Sequence, residues 1–344
     1  MITVKSNKNI IVGICLVLCC TTFLIAQTDY DPDHYPTSGY DPPDFNRTGQ
    51  AGWQFLHLPT NARSAALGGI MNGPSNNTVS ALFNNPANLV DVQNIDADFT
   101  QITYVAGINY MTAAVGKNLG ATGTFAFYFA NLRTADMYRT ENQVDEASGV
   151  TVRSDDLGTF TAGDIMMGVS FARKITDRLS VGGNVSRIEE DLADLKVSNT
   201  NFDFGIYYET GFESLRISMV ARNFGPDAEY TGFTDLYGLP QSVRMPVNFR
   251  VGVGYDFGEN LSAFAEGVHP NDGPERFHLA AEYKVMGMLS LRGGYKMGYD
   301  EQGLTFGGGV DFNMGNMNGR VDYAYLDYGT LSSVQVVTIG VSLN

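Results

Sequence analysis

From about residue 96 to residue 343, apolar and polar residues alternate in fourteen short segments. Residues 277–285 show the rule. Phe277, Leu279, Ala281, Tyr283 and Val285 share one face while His278, Ala280, Glu282 and Lys284 share the other, the period of two expected of a strand. The same pattern predicts strands at 96–106, 108–117, 121–131, 161–173, 178–188, 200–210, 214–223, 246–257, 260–268, 277–285, 288–296, 304–313, 318–328 and 333–343. An even count suits a closed antiparallel barrel with both ends on one side of a bilayer. The expected fold is therefore all-β, a 14-stranded antiparallel transmembrane β-barrel spanning 96–344.

The connections test this reading independently, because such barrels have short turns on one side and long loops on the other. Connections 118–120, 175–177, 211–213, 258–259, 286–287 and 314–317 are short; 132–160, 189–199, 224–245, 269–276 and 297–303 are longer and fall between them. The tight links near Gly107 and Gly329 are exceptions. Phe171, Phe257, Tyr283, Tyr295, Phe312, Tyr325 and Tyr328 gather near strand ends, where interfacial girdles belong. A soluble β-sandwich has the same alternation, but nothing in that fold sorts loops by parity.

Ahead of the strands the pattern changes. Lys5 and Lys8 precede an apolar stretch at 10–26, which reads as a signal peptide (1–26) cut near Ala26; an uncleaved anchor is the alternative. Residues 27–49 interleave Asp29, Asp31, Asp33, Asp41 and Asp44 with Pro32, Pro36, Pro42 and Pro43, an acidic composition that resists packing and reads as a periplasmic linker. Residues 50–95 predict a compact segment with short helices. Within it, a short helix over Ala62, Ala65, Ala66 and Leu67 stops at Gly68 and Gly69, and a second lies near 79–83. With so few apolar residues, that segment needs a larger body to pack inside.

Cys15, Cys19 and Cys20 all lie in the leader, and the formal net charge is −15. The mature chain thus has no thiol chemistry, and nucleic acid is disfavoured as a partner. His34, His57, His269 and His278 are scattered, and there is no phosphate loop, nucleophile elbow or zinc-protease motif. The expectation is a non-enzymatic protein without cofactor or metal. Acidic clusters at Asp155 and Asp156, and at Glu189, Glu190, Asp191 and Asp194, fall in expected outer loops; they read as solvated charge, with weak calcium binding the alternative. The inward faces carry Glu209, Asp256, Glu282 and Asp322 with Arg222, Arg250 and Arg292, a mixed-sign lumen network expected to pair across the barrel and grip the N-terminal segment. Lumen glycines such as Gly205, Gly294 and Gly307 leave room for another backbone, while Gly182-Gly183 and Gly307-Gly308-Gly309 are candidate wall defects.

Three motifs carry a resemblance. Trp53-Gln54-Phe55-Leu56 with Ala62-Arg63 and Leu67-Gly68-Gly69, then Asn85-Pro86-Ala87-Asn88-Leu89, then Ala221-Arg222-Asn223-Phe224-Gly225-Pro226 with later Gly-Tyr and Asp-Tyr pairs occur in the order seen in the PorV/PorQ family. This family is related to the FadL-type transporters. Departures are Asn84 before the Asn-Pro-Ala run, Asn88 within it, and a Leu343-Asn344 terminus. The resemblance implies a FadL-like barrel whose N-terminal hatch contains Phe55, Leu56, Ala62, Arg63, Gly68, Gly69, Asn85, Pro86 and Ala87. It implies an outer-membrane location and contact with membrane lipid. The leading functional expectation is an accessory or docking component for type IX protein secretion or surface attachment, with the translocon or secreted cargo as partner. The alternative is a FadL-like channel holding a hydrophobic ligand in its lumen; a passive structural barrel is a third reading.

Overall fold

A computed structural model describes residues 51–70, 78–139, 141–144, 151–154, 158–193, 195–234 and 240–343. The leader at 1–26, the linker at 27–49 and the acidic residues Asp155, Asp156 and Asp194 lie outside the described residues. The fourteen strands are β1 (Ile95–Thr103), β2 (Asn109–Asn118), β3 (Thr124–Arg133), β4 (Ala162–Lys174), β5 (Leu179–Leu192), β6 (Leu195–Glu209) and β7 (Arg216–Phe224) in the first half. The second half is β8 (Asn248–Phe257), β9 (Leu261–Pro270), β10 (Arg276–Val285), β11 (Leu289–Met297), β12 (Leu304–Asn313), β13 (Met317–Asp327) and β14 (Ser333–Leu343). Each pairs antiparallel with its neighbours in sequence, and β1 closes on β14 from Ile95↔Leu343 to Thr103↔Gln335. Every expected strand is present.

The alternation sorts side chains as a bilayer requires. Outward residues such as Phe127 (66 % exposed), Phe204 and Phe306 form an apolar exterior, whereas Thr112, Asn184, Asp203, Glu266, His278 and Glu282 are buried on the inward side. The end called the inner end carries short turns alone, and the outer end carries the long connections together with tight links near Gly107, Ala193 and Gly329. These features define a transmembrane barrel of the outer-membrane type.

Two expectations need correction. Residues 189–199 are not a long loop: β5 runs to Leu192 and β6 starts at Leu195, with Glu189↔Ser198 and Asp191↔Lys196 in register. Polar outward residues marked the end of the lipid-facing band, but a strand persists wherever its backbone stays paired. Ile188 and Val197 are buried on the other face, and Lys196 Nζ bonds Asp191 at 2.7 Å. Tyr328 is no girdle residue. It is buried at the outer mouth, edge-on to Tyr104 at 5.7 Å and 86°.

The described residues of 53–92 contain one α-helical turn, α1 (Ala62–Ala66), and three 3-10 turns at Gln54–His57, Val79–Phe83 and Pro86–Asp91. Their apolar side chains form one core with inward residues of the wall, including Trp53, Leu56, Leu82, Leu89, Tyr110, Ala126, Leu326 and Val336.

Because lipid solvates the exterior, Leu279→Arg near the middle of β10 is expected to lower barrel stability by about 2–4 kcal/mol, and Met317→Arg at the rim by about 0–1 kcal/mol. Heat-modifiable mobility after folding into vesicles measures this. Equal tolerance at both sites contradicts a lipid-facing band.

Candidate functional site

The described residues of 51–94 reach from the outer rim of the lumen to its inner rim. At the outer rim Gly52 N donates to Arg244 O at 3.0 Å and Gln54 Nε2 to Asp272 Oδ2 at 2.9 Å. At the inner rim Asn118 Nδ2 donates to Val92 O at 2.7 Å. Short irregular turns leave many backbone groups without local partners, and inward side chains of the wall supply them. Ala62 N donates to Thr338 Oγ1 (2.8 Å), Thr112 Oγ1 to Thr60 O (2.8 Å), and Asn184 Nδ2 to Leu82 O (3.0 Å). Val79 N and Ser80 N donate to the carboxylates of Asp96 (2.7 Å) and Asp98 (3.1 Å).

The hatch-motif residues fall within this framework. Phe55 and Leu56 are buried, with Phe55 edge-on to Tyr110 at 6.4 Å. Asn61 caps α1 by accepting from Ser64 N at 2.8 Å. The helix ends where Gly68 (φ 70°) and Gly69 (φ 77°) take left-handed backbone conformations, which glycine adopts without strain. Thr305 Oγ1 clasps that end, donating to Ala66 O at 2.9 Å and accepting from Gly68 N at 3.0 Å. Asn85 accepts from Ala87 N at 3.0 Å and donates to Ile206 O of the wall at 3.1 Å. Pro86 and Ala87 lie against Gly182, where an added Cβ would meet Pro86 backbone at 2.5 Å.

The lumen charges pair in groups. Glu282 binds Arg292 Nε at 2.8 Å and Arg63 Nε at 3.2 Å, and Arg292 also bonds Asp322. Arg63 is thus the cation by which α1 is pinned to the wall, with 13 % of its side chain exposed. Asp256 holds Arg216 through two bonds of 2.6 and 2.7 Å. Arg250 bonds Glu266 at 3.1 Å and Gly69 O at 3.3 Å, while Arg222 is buried near Asp203. Glu209 departs from the expectation: it is exposed at the inner rim and is in no ion pair among the described residues.

Sequence reasoning missed Arg320, which holds Asp96 at 2.7 and 2.8 Å and also bonds Asp98. Its inward parity, shared with Asp322, was the available signal. The glycine runs are not wall defects either. Pairing is continuous through Phe204↔Gly183 and Gly205↔Gly182, and through Arg292↔Gly307 and Leu291↔Gly308. An added Cβ at Gly205 would collide with Asn85, at Gly307 with Ala66, and at Gly294 with Leu67 and Gly68, so these glycines make room for the inner segment. The register irregularity of the described wall is elsewhere, between Phe202 and Phe204 opposite Ala221 and Phe224. There Asn223 (φ 62°) donates its N–H to Asp203 at 2.8 Å.

Two cavities flank the inner segment. The inner one, about 1350 Å³, is a charged vestibule lined by Arg63, Asp256, Glu282, Arg292, Arg320 and Asp322 among others. The outer one, about 570 Å³, has Trp53, Phe55, Leu58, Tyr104, Leu326 and Tyr328 on its apolar side. Asn61 and Arg63 face the vestibule while Thr60, Ser64 and Ala65 face the outer pocket. The turn at α1 is the floor between them. Among the described residues no group of three or more metal-ligating side chains converges.

No protein-family model matches the chain, and none of the curated proteins aligns with it. Solved barrels do share its architecture. The toluene transporter TbuX of Ralstonia pickettii superposes over 84% of this chain and 99% of its own, with 15% identity and a TM-score of 0.51. The Pseudomonas putida toluene transporter TodX covers 83% and 98%, with 14% identity and a TM-score of 0.54. The CymD monoaromatic hydrocarbon channel covers 83% and 97%, with 12% identity and a TM-score of 0.54. At these identities the likeness establishes the fold alone.

Trp53 is the sole tryptophan and is buried in the inner segment, so its emission reports docking of that segment. Two groups beside it make docking acid-sensitive. Burial pushes the His57 imidazole below its ordinary 6.5, with Asp272 only partly offsetting it. Burial would raise the Asp272 carboxyl, but hydrogen bonds from His57 and Gln54 outweigh it and hold the group at about 2 against an ordinary 3.8. In each case the undocked state binds more protons, so docking strengthens with pH. The His57 contribution is full above pH 6.5 and declines below it, while the Asp272 contribution is lost between pH 3.8 and about 2. Trp53 emission should redden over both ranges, and Asp272→Asn should abolish the lower step. Gly205→Val should redden emission at neutral pH by driving Asn85 out; an unchanged spectrum contradicts the close approach.

Proposed function

We propose that this protein is an outer-membrane channel for hydrophobic small molecules, held closed by residues 51–94 acting as a hatch. The observation that carries the reading is the outer pocket: an aromatic-lined cavity of about 570 Å³ at the long-loop end, floored by a single helical turn. That volume is within the range of small-molecule sites, about 300–1,000 Å³. The toluene and monoaromatic hydrocarbon transporters that share the fold support the same class of solute. Of the two roles considered from the sequence, this one has the better support; the secretion role rests on the PorV/PorQ resemblance.

Passage needs the floor to move. A solute in the outer pocket meets α1, which is held by Arg63 to Glu282, by Thr338 at its first N–H and by Thr305 at its end. None of these is a strand hydrogen bond, so α1 is free to leave without opening the wall. Glu282 keeps Arg292 when Arg63 departs, which spares the lumen a stranded charge.

The test is Arg63→Ala, alone and with Thr338→Val. Losing these bonds weakens closure by roughly 1–3 kcal/mol, and each 1.4 kcal/mol raises the open fraction about tenfold. Proteoliposomes carrying the variants are expected to take up naphthalene faster than wild type, with a matching increase in single-barrel conductance. Unchanged uptake in variants whose Trp53 emission shows the segment released would overturn the channel reading.

A further inference from the structure

The outer pocket carries charge that a hydrocarbon leaves unused. Three basic side chains converge on the Tyr299 ring: the Arg276 guanidinium lies 4.5 Å from its centroid, Lys296 Nζ 5.3 Å, and the His278 ring 5.7 Å in a stacked pose. His278 Nε2 also bonds Tyr299 Oη at 3.0 Å. Strand register builds this cluster, because Glu266, His278 and Lys296 are direct neighbours across β9, β10 and β11.

The local charges do not balance. Glu266 is committed to Arg250 at 3.1 Å with His278 3.8 Å away, and Asp272 holds Gln54 and the nearby His57 while its charge also reaches Arg276. Lys296 donates to the neutral Gln302 at 2.9 Å, and among the described residues neither Lys296 nor Arg276 is in an ion pair. The charges that bear on Lys296 are two guanidiniums, Arg250 and Arg276. Cations gathered out of water repel one another and lose solvation, and a bound anion relieves both. Nearly opposite in the barrel, the register neighbours Asp164 and Glu190 line the same pocket. An anion is repelled there and directed toward β10 and β11.

Aromatic rings supply part of the remaining wall. Trp53, Phe55, Tyr104 and Tyr328 all line the cavity, and rings favour rings in edge-on or offset contact beyond the burial of area. A compact aromatic body also loses less conformational freedom on binding than an alkyl chain does.

We propose that the outer pocket binds an aromatic molecule bearing one anionic group, an aryl carboxylate in its simplest form. Its ring lies among Trp53, Phe55, Tyr104 and Tyr328, and its carboxylate between Arg276 and Lys296. The inference rests on the channel reading and names its substrate class.

The test uses the full-length barrel in detergent, with calorimetry and Trp53 fluorescence as readouts. Three probes are titrated: 4-tert-butylbenzoate, its neutral isostere 4-tert-butylbenzamide, and octanoate. The benzoate is expected to bind about tenfold or more tightly than either of the others, as a charge-assisted contact to two cations requires. Arg276→Gln with Lys296→Gln should bring benzoate down to the benzamide affinity while leaving benzamide binding intact, which also shows that the variant is folded. Equal binding of benzamide or of octanoate overturns the proposal, as does a preference for benzoate that survives in the double variant. Preferential benzoate binding with no uptake even in Arg63→Ala removes the channel reading and leaves the site standing. Uptake of naphthalene without any preference for the acid does the reverse.

Discussion

The structure depends on how an irregular stretch of backbone is satisfied inside a barrel. The described residues of 53–92 form four short turns, too few to pair their own N–H and C=O groups, and buried unpaired groups each cost on the order of 1–3 kcal/mol. The wall answers with hydroxyls, amides and carboxylates at inward positions: Thr112, Thr305, Thr338, Asn118, Asn184, Asp96 and Asp98 each bond that backbone. These side chains explain why the lumen is rich in Thr and Asn where a soluble core would be apolar.

Close approach is the second half of the same arrangement. A hydroxyl on the wall reaches a backbone carbonyl only if the two chains nearly touch, and Gly182, Gly205, Gly294 and Gly307 remove the side chains that would hold them apart. The glycines lie beneath the residues they accommodate, Pro86, Asn85, Leu67 and Ala66. Their clustering reflects the path of the inner segment, and the wall remains fully paired through them.

Much of this was legible in the sequence, and for identifiable reasons. A period of two is local, so strands such as 277–285 could be placed from a few residues. The parity of loop lengths then pointed to closure, which the pairing of β1 with β14 bears out. What failed was information that polarity or spacing alone does not carry. Glu189 to Asn199 read as loop because polar outward residues end a lipid-facing band, yet the backbone of β5 and β6 stays paired there. Glu209 shares inward parity with Asp203 but lies at the rim, where water serves it as well as an arginine would. Arg63 and Glu282 were each singled out, in separate groups; their bond joins residues 219 positions apart. The basic wall was invisible for the same reason, since His278 and Lys296 become neighbours only through the register of β10 and β11.

That register has a consequence for closure. Gly69 ends the floor turn, and its carbonyl accepts from Arg250 at 3.3 Å. Its open side lies against Lys296, whose Cε stands 3.5 Å from where a Cβ would be. The floor is therefore held from below by an arginine of its own, Arg63, and from above by a cation of the wall. The two holds differ in kind. Arg63 meets a carboxylate in the charged vestibule, whereas Arg250 divides its donors among Glu266, Asn248 and a neutral carbonyl at the edge of the outer pocket. A neutral acceptor is the weakest competitor for a guanidinium, by roughly a factor of two in bond strength against a charged one. The upper hold thus faces the outer pocket and the lower hold the vestibule. Gly69, Arg250 and Lys296 all line the outer pocket, so the end of the floor turn and the cation that holds it from above share one cavity wall.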